Sequence, residues 1–330
     1  MSGQQENLLE VEGLCKWFPQ RQGPVDIVLR RQRQYLKAVD GVSFHIRKGE
    51  NLGLVGESGC GKSTLARSLI RLYEPSEGKI LLGGVDITHL RGEVLRRQRP
   101  RMQMIFQDPY SSLNPRMSVY DTLAEVLKVH HMVPDSHIRA RVKELLEMSG
   151  LGMDIADRFP GEFSGGQRQR IGIARALALE PGFIIADEPV SALDVSIQAQ
   201  IINLLSRLQR ELGLTVLFIS HDLRVVRHIT HRVMVMYLGS LVEVGNTEAV
   251  FDRPYHPYTQ VLTQAAPRLD PTDRKREYAI EGEPPSPIHV PAGCKFHPRC
   301  PRCQEICRTR EPEHRELGPG RFCACHYPLQ

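Results

Sequence analysis

The run Gly56-Glu57-Ser58-Gly59-Cys60-Gly61-Lys62-Ser63, followed by Thr64, has the residue types and spacing of a phosphate-binding loop. Its glycines let the backbone curl so that N–H groups face phosphate oxygens, Lys62 reaches the β- and γ-phosphates, and the Ser63 hydroxyl ligates Mg²⁺. A second run, Phe183-Ile184-Ile185-Ala186-Asp187-Glu188, ends an apolar stretch on two carboxylates. Asp187 suits water-mediated retention of Mg²⁺, and Glu188 suits polarisation of an attacking water. In a third run, Phe163-Ser164-Gly165-Gly166-Gln167, a serine and two glycines open a helical pattern that continues through Ile171, Ile173, Ala174 and Leu177. That is a second helix N-terminus built to receive an anion. Two phosphate-receiving ends too far apart in sequence to form one loop predict that two chains sandwich the nucleotide.

The pattern around these runs predicts the elements that position them. Asn51 to Val55 reads as a strand entering the glycine loop, and Leu65, Leu69, Ile70 and Leu72 recur at helical spacing after it. Phe183 to Ala186 and Leu214 to Ile219 read as fully buried parallel strands. Between them, Val195, Ile197, Ile201, Ile202, Leu205, Leu208 and Leu212 mark one face of a helix stopped by Gly213. From about Pro109 to Leu179 no strand pattern is found; Leu123, Val126 and Leu127, then Ile138, Val142, Leu145 and Leu146, predict helices. A helical subdomain inserted into an α/β core is the simplest account.

With 330 residues the chain has length for roughly two domains. Its net charge of +5, from 43 basic and 38 acidic side chains, is too slight an excess to argue nucleic acid by itself, and a basic protein near an anionic membrane would look the same. No stretch nears the roughly 18 to 20 apolar residues that span a bilayer, and the polar start does not resemble a signal peptide, so a cytoplasmic location is expected. The Arg-rich segment from Arg21 to Lys37 reads as a solvated loop, with a membrane-proximal contact as the sharper possibility. Composition shifts near residue 267 towards prolines. Six of the eight cysteines fall between Cys294 and Cys325, a clustering that in a reducing compartment suggests metal ligation more than disulfides.

Taken in order, these motifs resemble the ATP-binding cassette (ABC) family over nearly the whole chain. The signature stands as FSGGQ where LSGGQ is commoner, with Ser164 and the glycines intact. Gln107 in FQDP resembles the family's Q-loop glutamine, Ser191-Ala192-Leu193-Asp194 its D-loop, and His221 in ISHD its switch histidine. The adenine-stacking aromatic falls on Phe18, with Trp17 as the alternative. The resemblance implies an α/β fold: a P-loop ABC-type nucleotide-binding domain with a RecA-like core, an antiparallel β subdomain and an inserted helical subdomain, plus a small Cys-rich C-terminal appendage. It places the ATPase domain at 1–267, with its helical subdomain at about 109–179, and the appended region at 268–330. The implied catalytic residues are Glu188, His221 and Gln107, and Ser63, Gln107 and Asp187 attend Mg²⁺. ATP is implied to contact Phe18, Gly56, Ser58, Gly59, Cys60, Gly61, Lys62, Ser63 and Thr64, with Ser164, Gly165, Gly166, Gln167 and Asp194 serving the facing subunit.

The element RPYHPYT at 253–259 and the segment DPYSSLNPRM are similar to ATPase subunits of oligopeptide and dipeptide importers, and the basic insertion before Ala38 resembles their F-type ATPase. This implies a heterodimer with a second ABC ATPase, two transmembrane permease subunits and an extracytoplasmic solute-binding protein. The chain would be peripheral on the cytoplasmic face of the inner membrane. Relatives in this group also import nickel, glutathione or oligosaccharides. Cys294, Cys300, Cys307 and Cys325, separated by five, six and seventeen residues, are similar to the tail cysteines that hold a [4Fe–4S] cluster in such ATPases. Zinc is the competing occupant, because Cys300 and Cys303 with Cys323 and Cys325 could form a tetrahedral site.

Two other function classes fit these residues less well. A soluble ABC ATPase acting on DNA or ribosomes usually carries a long insertion between the Q-loop and the signature, where only 56 residues lie here, so no direct nucleic acid binding is expected. A small kinase or GTPase leaves the SGGQ helix unexplained.

Overall fold

The computed structural model describes residues 6–20, 22, 33–108, 110, 112–265 and 282–329. Most of the Arg-rich segment, Pro109 and the composition shift near residue 267 therefore lie outside the described residues. In chain order the first strands are β1 (Asn7–Pro19), β2 (Tyr35–Arg47), β3 (Asn51–Val55), β4 (Glu77–Leu82), β5 (Val85–Asp86) and β6 (Met102–Ile105). They are followed by β7 (Phe183–Asp187), β8 (Thr215–Ile219), β9 (Arg232–Tyr237), β10 (Ser240–Asn246), β11 (Arg315–Gly318) and β12 (Arg321–Cys323). The first helices are α1 (Lys62–Leu69), α2 (Gly92–Gln98), α3 (Val119–Val129), α4 (Ile138–Met148) and α5 (Gly165–Leu177). The rest are α6 (Val195–Leu212), α7 (Leu223–Ile229), α8 (Thr247–Asp252), α9 (Pro257–Ala265) and α10 (Glu305–Thr309). The chain divides into two compact units, one drawn from Met1–Leu8, Ile46–Asn51 and Leu90–Ser220, the other from Leu9–His45, Leu52–His89 and His221–Gln330.

In the first unit β6, β7 and β8 form a parallel ladder. Every residue of β7 is buried, as expected of a strand covered on both faces. Helices α3, α4 and α5 pack on one another, and Leu123, Leu127, Val142, Leu146, Ile171 and Ala174 on them are buried. Ser118 caps α3 by accepting the Asp121 N–H at 3.0 Å. Between residues 112 and 179 the described residues form helices and turns and no strand. Helix α6 ends on Gly213 in the left-handed conformation, at the predicted stop. The apolar face predicted for it is displaced: Leu204 is buried in place of Leu212, and Val195 is 82% exposed at the helix start.

The second unit contains a four-stranded sheet of order β2-β1-β4-β5, in which β1 pairs antiparallel to β4 and β4 to β5. It also contains the strand sequence β11-β12-β10-β9-β3. Strand β3 runs parallel to β9, whereas β10 is antiparallel to both β9 and β12. The C-terminal hairpin of β11 and β12 thus adds to the sheet of β10, β9 and β3, a pairing the proline-rich composition of the tail did not predict. Arg321 of β12 fixes it from inside: its guanidinium donates at 2.9 Å to Glu243, which is fully buried on β10 and also accepts the N–H groups of Tyr255 and His256. A buried carboxylate with all these donors is satisfied, so the pair specifies register without an uncompensated charge.

Candidate functional site

In the second unit β3 runs into the glycine loop and the loop into α1. Gly61 has φ of 110°, and a side chain there would collide with the Ala38 carbonyl oxygen, so the turn requires glycine. No side chain caps α1, so its first N–H groups are donors directed at the loop. Lys62 is buried, and its ammonium donates to the carbonyls of Gly56 at 2.8 Å and Glu57 at 2.9 Å. Cys60 is buried beside it, and burial pushes its thiol pKa up, making it an inert packing residue. Ser58 and Gly59 are exposed at the loop's tip, and Ser63 and Thr64 are half-buried on the first turn of α1. Phe18 stands half-buried near the end of β1, its ring edge-on to Tyr73 at 5.4 Å and covered by the Lys16 ammonium at 5.0 Å. Trp17 is committed elsewhere, donating its indole N–H to Asp40 at 3.3 Å. His221 is exposed at the start of the turn leading into α7.

In the first unit Asp187 closes β7 and is 1% exposed. Glu188, the next residue, has a left-handed φ of 45°, which costs a side-chain-bearing residue about 1 kcal/mol. The conformation is held from several sides: the Glu188 N–H donates to Ile219 at 2.9 Å, and its carbonyl accepts from the Ser191 hydroxyl at 3.1 Å. The Glu188 carboxylate accepts a 2.9 Å bond from the Gln107 amide. Two residues 81 positions apart, assigned separate roles from sequence, thus meet directly.

Ser164 and Gln167 form a reciprocal capping box at the start of α5, with the Ser164 N–H donating to the Gln167 side chain at 3.0 Å. Both are exposed, whereas Gly166 is buried and a side chain on it would stand 2.5 Å from Ile197 of α6. Gly165 similarly faces Leu193. These glycines therefore have a packing role the sequence reading did not foresee: they let α6 and the Ser191–Asp194 turn approach α5. Asp194 is exposed at the N-cap of α6, and Gln198 holds the turn by donating to the carbonyls of Val190 and Leu193, both at 3.0 Å.

The eight cysteines are free. Burial, then the charges of Cys325, Cys300 and Cys307, push the Cys294 thiol up to about 12. Burial, then Cys325, Cys307 and Cys303, push Cys300 up to about 11, and Cys325 is raised by burial and by Cys307. Cys303 turns its thiol to the Gln304 carbonyl at 3.6 Å. Cys323 is raised by burial and then by Glu243 as well as Cys325. The donor chemistry suits a soft cationic centre, since thiols that repel one another's charge are stabilised as thiolates by one. Even so, among the described residues no group of three or more His, Cys, Asp or Glu side chains is arranged to hold a metal ion, so the expected cluster gains no support there. Mg²⁺ takes hard oxygen ligands, and Ser63 of the second unit and Asp187 of the first each carry such a donor.

Arg299 and Tyr237, which sequence reasoning missed, and Tyr258, which it placed only by resemblance, act on the glycine loop. The Tyr258 hydroxyl accepts the Glu57 N–H at 2.9 Å, Arg299 pairs with the Glu57 carboxylate, and Tyr237 packs between them. His256 is fully buried, its Nδ1 accepting the Tyr258 N–H at 3.1 Å. The His256-Pro257-Tyr258 element, read only as a resemblance, is thus a structural tie to the loop.

A family profile described as ABC transporter matches residues 39–191, and one described as oligopeptide/dipeptide transporter, C-terminal region, matches residues 242–307. The oligopeptide transport ATP-binding protein AppF of Bacillus subtilis is 52% identical over 98% of each chain. The probable peptide ABC transporter ATP-binding protein y4tS of Sinorhizobium fredii is 51% identical over 97% of this chain and 89% of its own. Of solved structures, the dimeric post-hydrolysis state of the ATP-binding cassette MJ0796 bound to ADP and Pi matches with a TM-score of 0.64 at 28% identity, covering 72% of this chain and 98% of that one. Fold and site together define a phosphate-loop ATPase. The chain belongs to the ATP-binding proteins of ABC transporters, in the oligopeptide/dipeptide group.

Proposed function

We propose that this chain is the ATP-hydrolysing, energy-coupling subunit of a peptide importer, working as a nucleotide-sandwich dimer with a second, non-identical ATPase on two permeases fed by an extracytoplasmic binding protein. The observation that carries the chemistry is Glu188, locked at the end of a buried strand and hydrogen-bonded to Gln107. Relatives about half identical over nearly their full length, named for peptide transport, support the substrate class. Among the described residues no helix is long and apolar enough to cross a membrane, which fits a peripheral subunit on the cytoplasmic face whose pore lies on other chains. Residues 1–267 would form the ATPase, with its helical part near 109–179, and 268–330 the appended region.

In this reading Lys62 and the amides of Gly56 to Thr64 bind the triphosphate, and Phe18 stacks on the adenine. Ser63, Asp187 and Gln107 would hold Mg²⁺, which supplies charge neutralisation at the phosphates. Glu188 orients the attacking water, and the Gln107 bond ties that carboxylate to the loop leading into the helical part. His221 contacts the γ-phosphate. Ser164, Gly165, Gly166, Gln167 and Asp194 complete the facing subunit's site, and closure excludes bulk water.

We further infer that Cys294, Cys300, Cys307 and Cys325 hold a [4Fe–4S] cluster with a structural or docking role, zinc being the competing occupant. The mutual influence of these thiols supports the reading; Cys303 also acts on Cys300, while its own thiol faces the Gln304 carbonyl. Purifying the assembled complex tests the function: this chain should bring two permeases and a second ATPase and hydrolyse ATP, whereas a lone chain hydrolysing at full rate would argue against a shared site.

A further inference from the structure

Glu57 puts a carboxylate into the loop whose other groups receive a polyanion. Left bare, that charge would oppose a triphosphate. The structure answers it from the far end of the chain: Arg299 grips the carboxylate with both arms of its guanidinium, at 2.9 and 3.0 Å, across 242 residues of sequence. The guanidinium side chain is 6% exposed and the carboxylate 23%, so water screens the pair weakly. Tyr237 supports Arg299 through its hydroxyl at 3.4 Å, and Tyr258 takes the backbone N–H of the same Glu57. Tyr237, Tyr258 and Phe296 pack ring against ring beneath these contacts, which fixes their positions. Both the side chain and the amide of one loop residue are thus fixed by residues C-terminal to the catalytic motifs.

We propose that Arg299 is a positioning residue for the nucleotide site, neutralising Glu57 and drawing it aside so that the phosphate loop accepts the triphosphate. The proposal rests on the phosphate loop being the seat of ATP. It makes the His297–Arg299 turn, which leads into Cys300, part of the machinery that sets nucleotide affinity.

The test is a double-mutant cycle on the full-length chain, read as the Kd for Mg²⁺·ATP. Arg299→Gln should weaken binding about tenfold, because a carboxylate freed beside the phosphates repels them. That loss should grow as salt is lowered. In a Glu57→Gln background the same change should cost less than about twofold, since no charge is then left to neutralise. Arg299→Lys, which keeps charge but not the fork, should recover part of the affinity. A role confined to folding the tail would leave the loss the same in both backgrounds, and that result overturns the proposal, as does Arg299→Gln binding like the parent. If Arg299→Gln alone fails to fold, the doubly substituted chain carries the test: folded and binding ATP supports the proposal, folded without binding overturns it. A parent chain that binds no ATP overturns the reading of the loop itself, which separates the two failures.

Discussion

Replacing Glu188 by Gln should stop turnover while leaving nucleotide binding in place. The substitution keeps the side chain's length and an oxygen that still accepts the 2.9 Å bond from Gln107. The backbone contacts to Ile219 and Ser191 do not involve the side chain, so the left-handed turn survives. Only the basicity is removed. A positioned general base contributes about 10²- to 10⁴-fold, so the hydrolysis rate should fall by that factor, equivalent to about 3–5 kcal/mol on the barrier. Glu188→Ala should fall at least as far, with little change in stability, because the exposed Gln107 amide turns to water. The assay is phosphate release by the assembled transporter, with ATP retention measured on the same sample. Hydrolysis by Glu188→Gln within a few-fold of the parent rate would refute the assignment of the catalytic carboxylate.

In mixed complexes, Ser164→Arg in this chain should silence the ATP site of the partner ATPase and spare this chain's own, and a fully active partner site would sink the sandwich arrangement. Anaerobically purified protein should be brown with about four irons per chain, losing them on Cys300→Ser but not on Cys303→Ser; stoichiometric zinc without iron would assign the other occupant. Burial and then the charge of His314 hold the His256 pKa down at about 3, below the ordinary value of about 6.5. Its contribution to stability is therefore complete above about pH 6.5 and is lost as pH falls towards 3, reaching about 2 kcal/mol of loss by pH 5. Denaturant unfolding should show that dependence, and His256→Asn should flatten it; an unchanged slope would count against a buried neutral imidazole.

What the sequence made legible is local. The strand, glycine loop and helix from Asn51 to Leu69 could be read because glycine at Gly61, an apolar run before it and helical periodicity after it are all set within 20 residues. The stop of α6 at Gly213 was legible for the same reason. Contacts between distant segments were not. The β11–β12 hairpin consists of short, polar strands whose place depends on β10, and no periodicity in Arg315–Cys323 announces it. The apolar face of α6 was misjudged at Val195, which lies beside the exposed turn carrying Asp194, because periodicity gives a helix its stripe but not the point where its cover ends. The Gln107–Glu188 bond and the Arg299–Glu57 pair join residues whose types invite partners without saying which. The glycines of the signature were read for anions alone, although close packing against Ile197 needs Gly166 as well.

The central claim is that ATP hydrolysis on this chain drives peptide import, and the most direct measurement is peptide uptake by liposomes containing the complete transporter, with binding protein and peptide supplied on the side opposite the ATPases. Accumulation should require ATP, stop when Glu188→Gln replaces this chain, and fail when a non-hydrolysable nucleotide replaces ATP. Uptake that proceeds at the parent rate with Glu188→Gln, or ATP hydrolysis that drives no peptide movement in a complex able to bind peptide, would contradict the account.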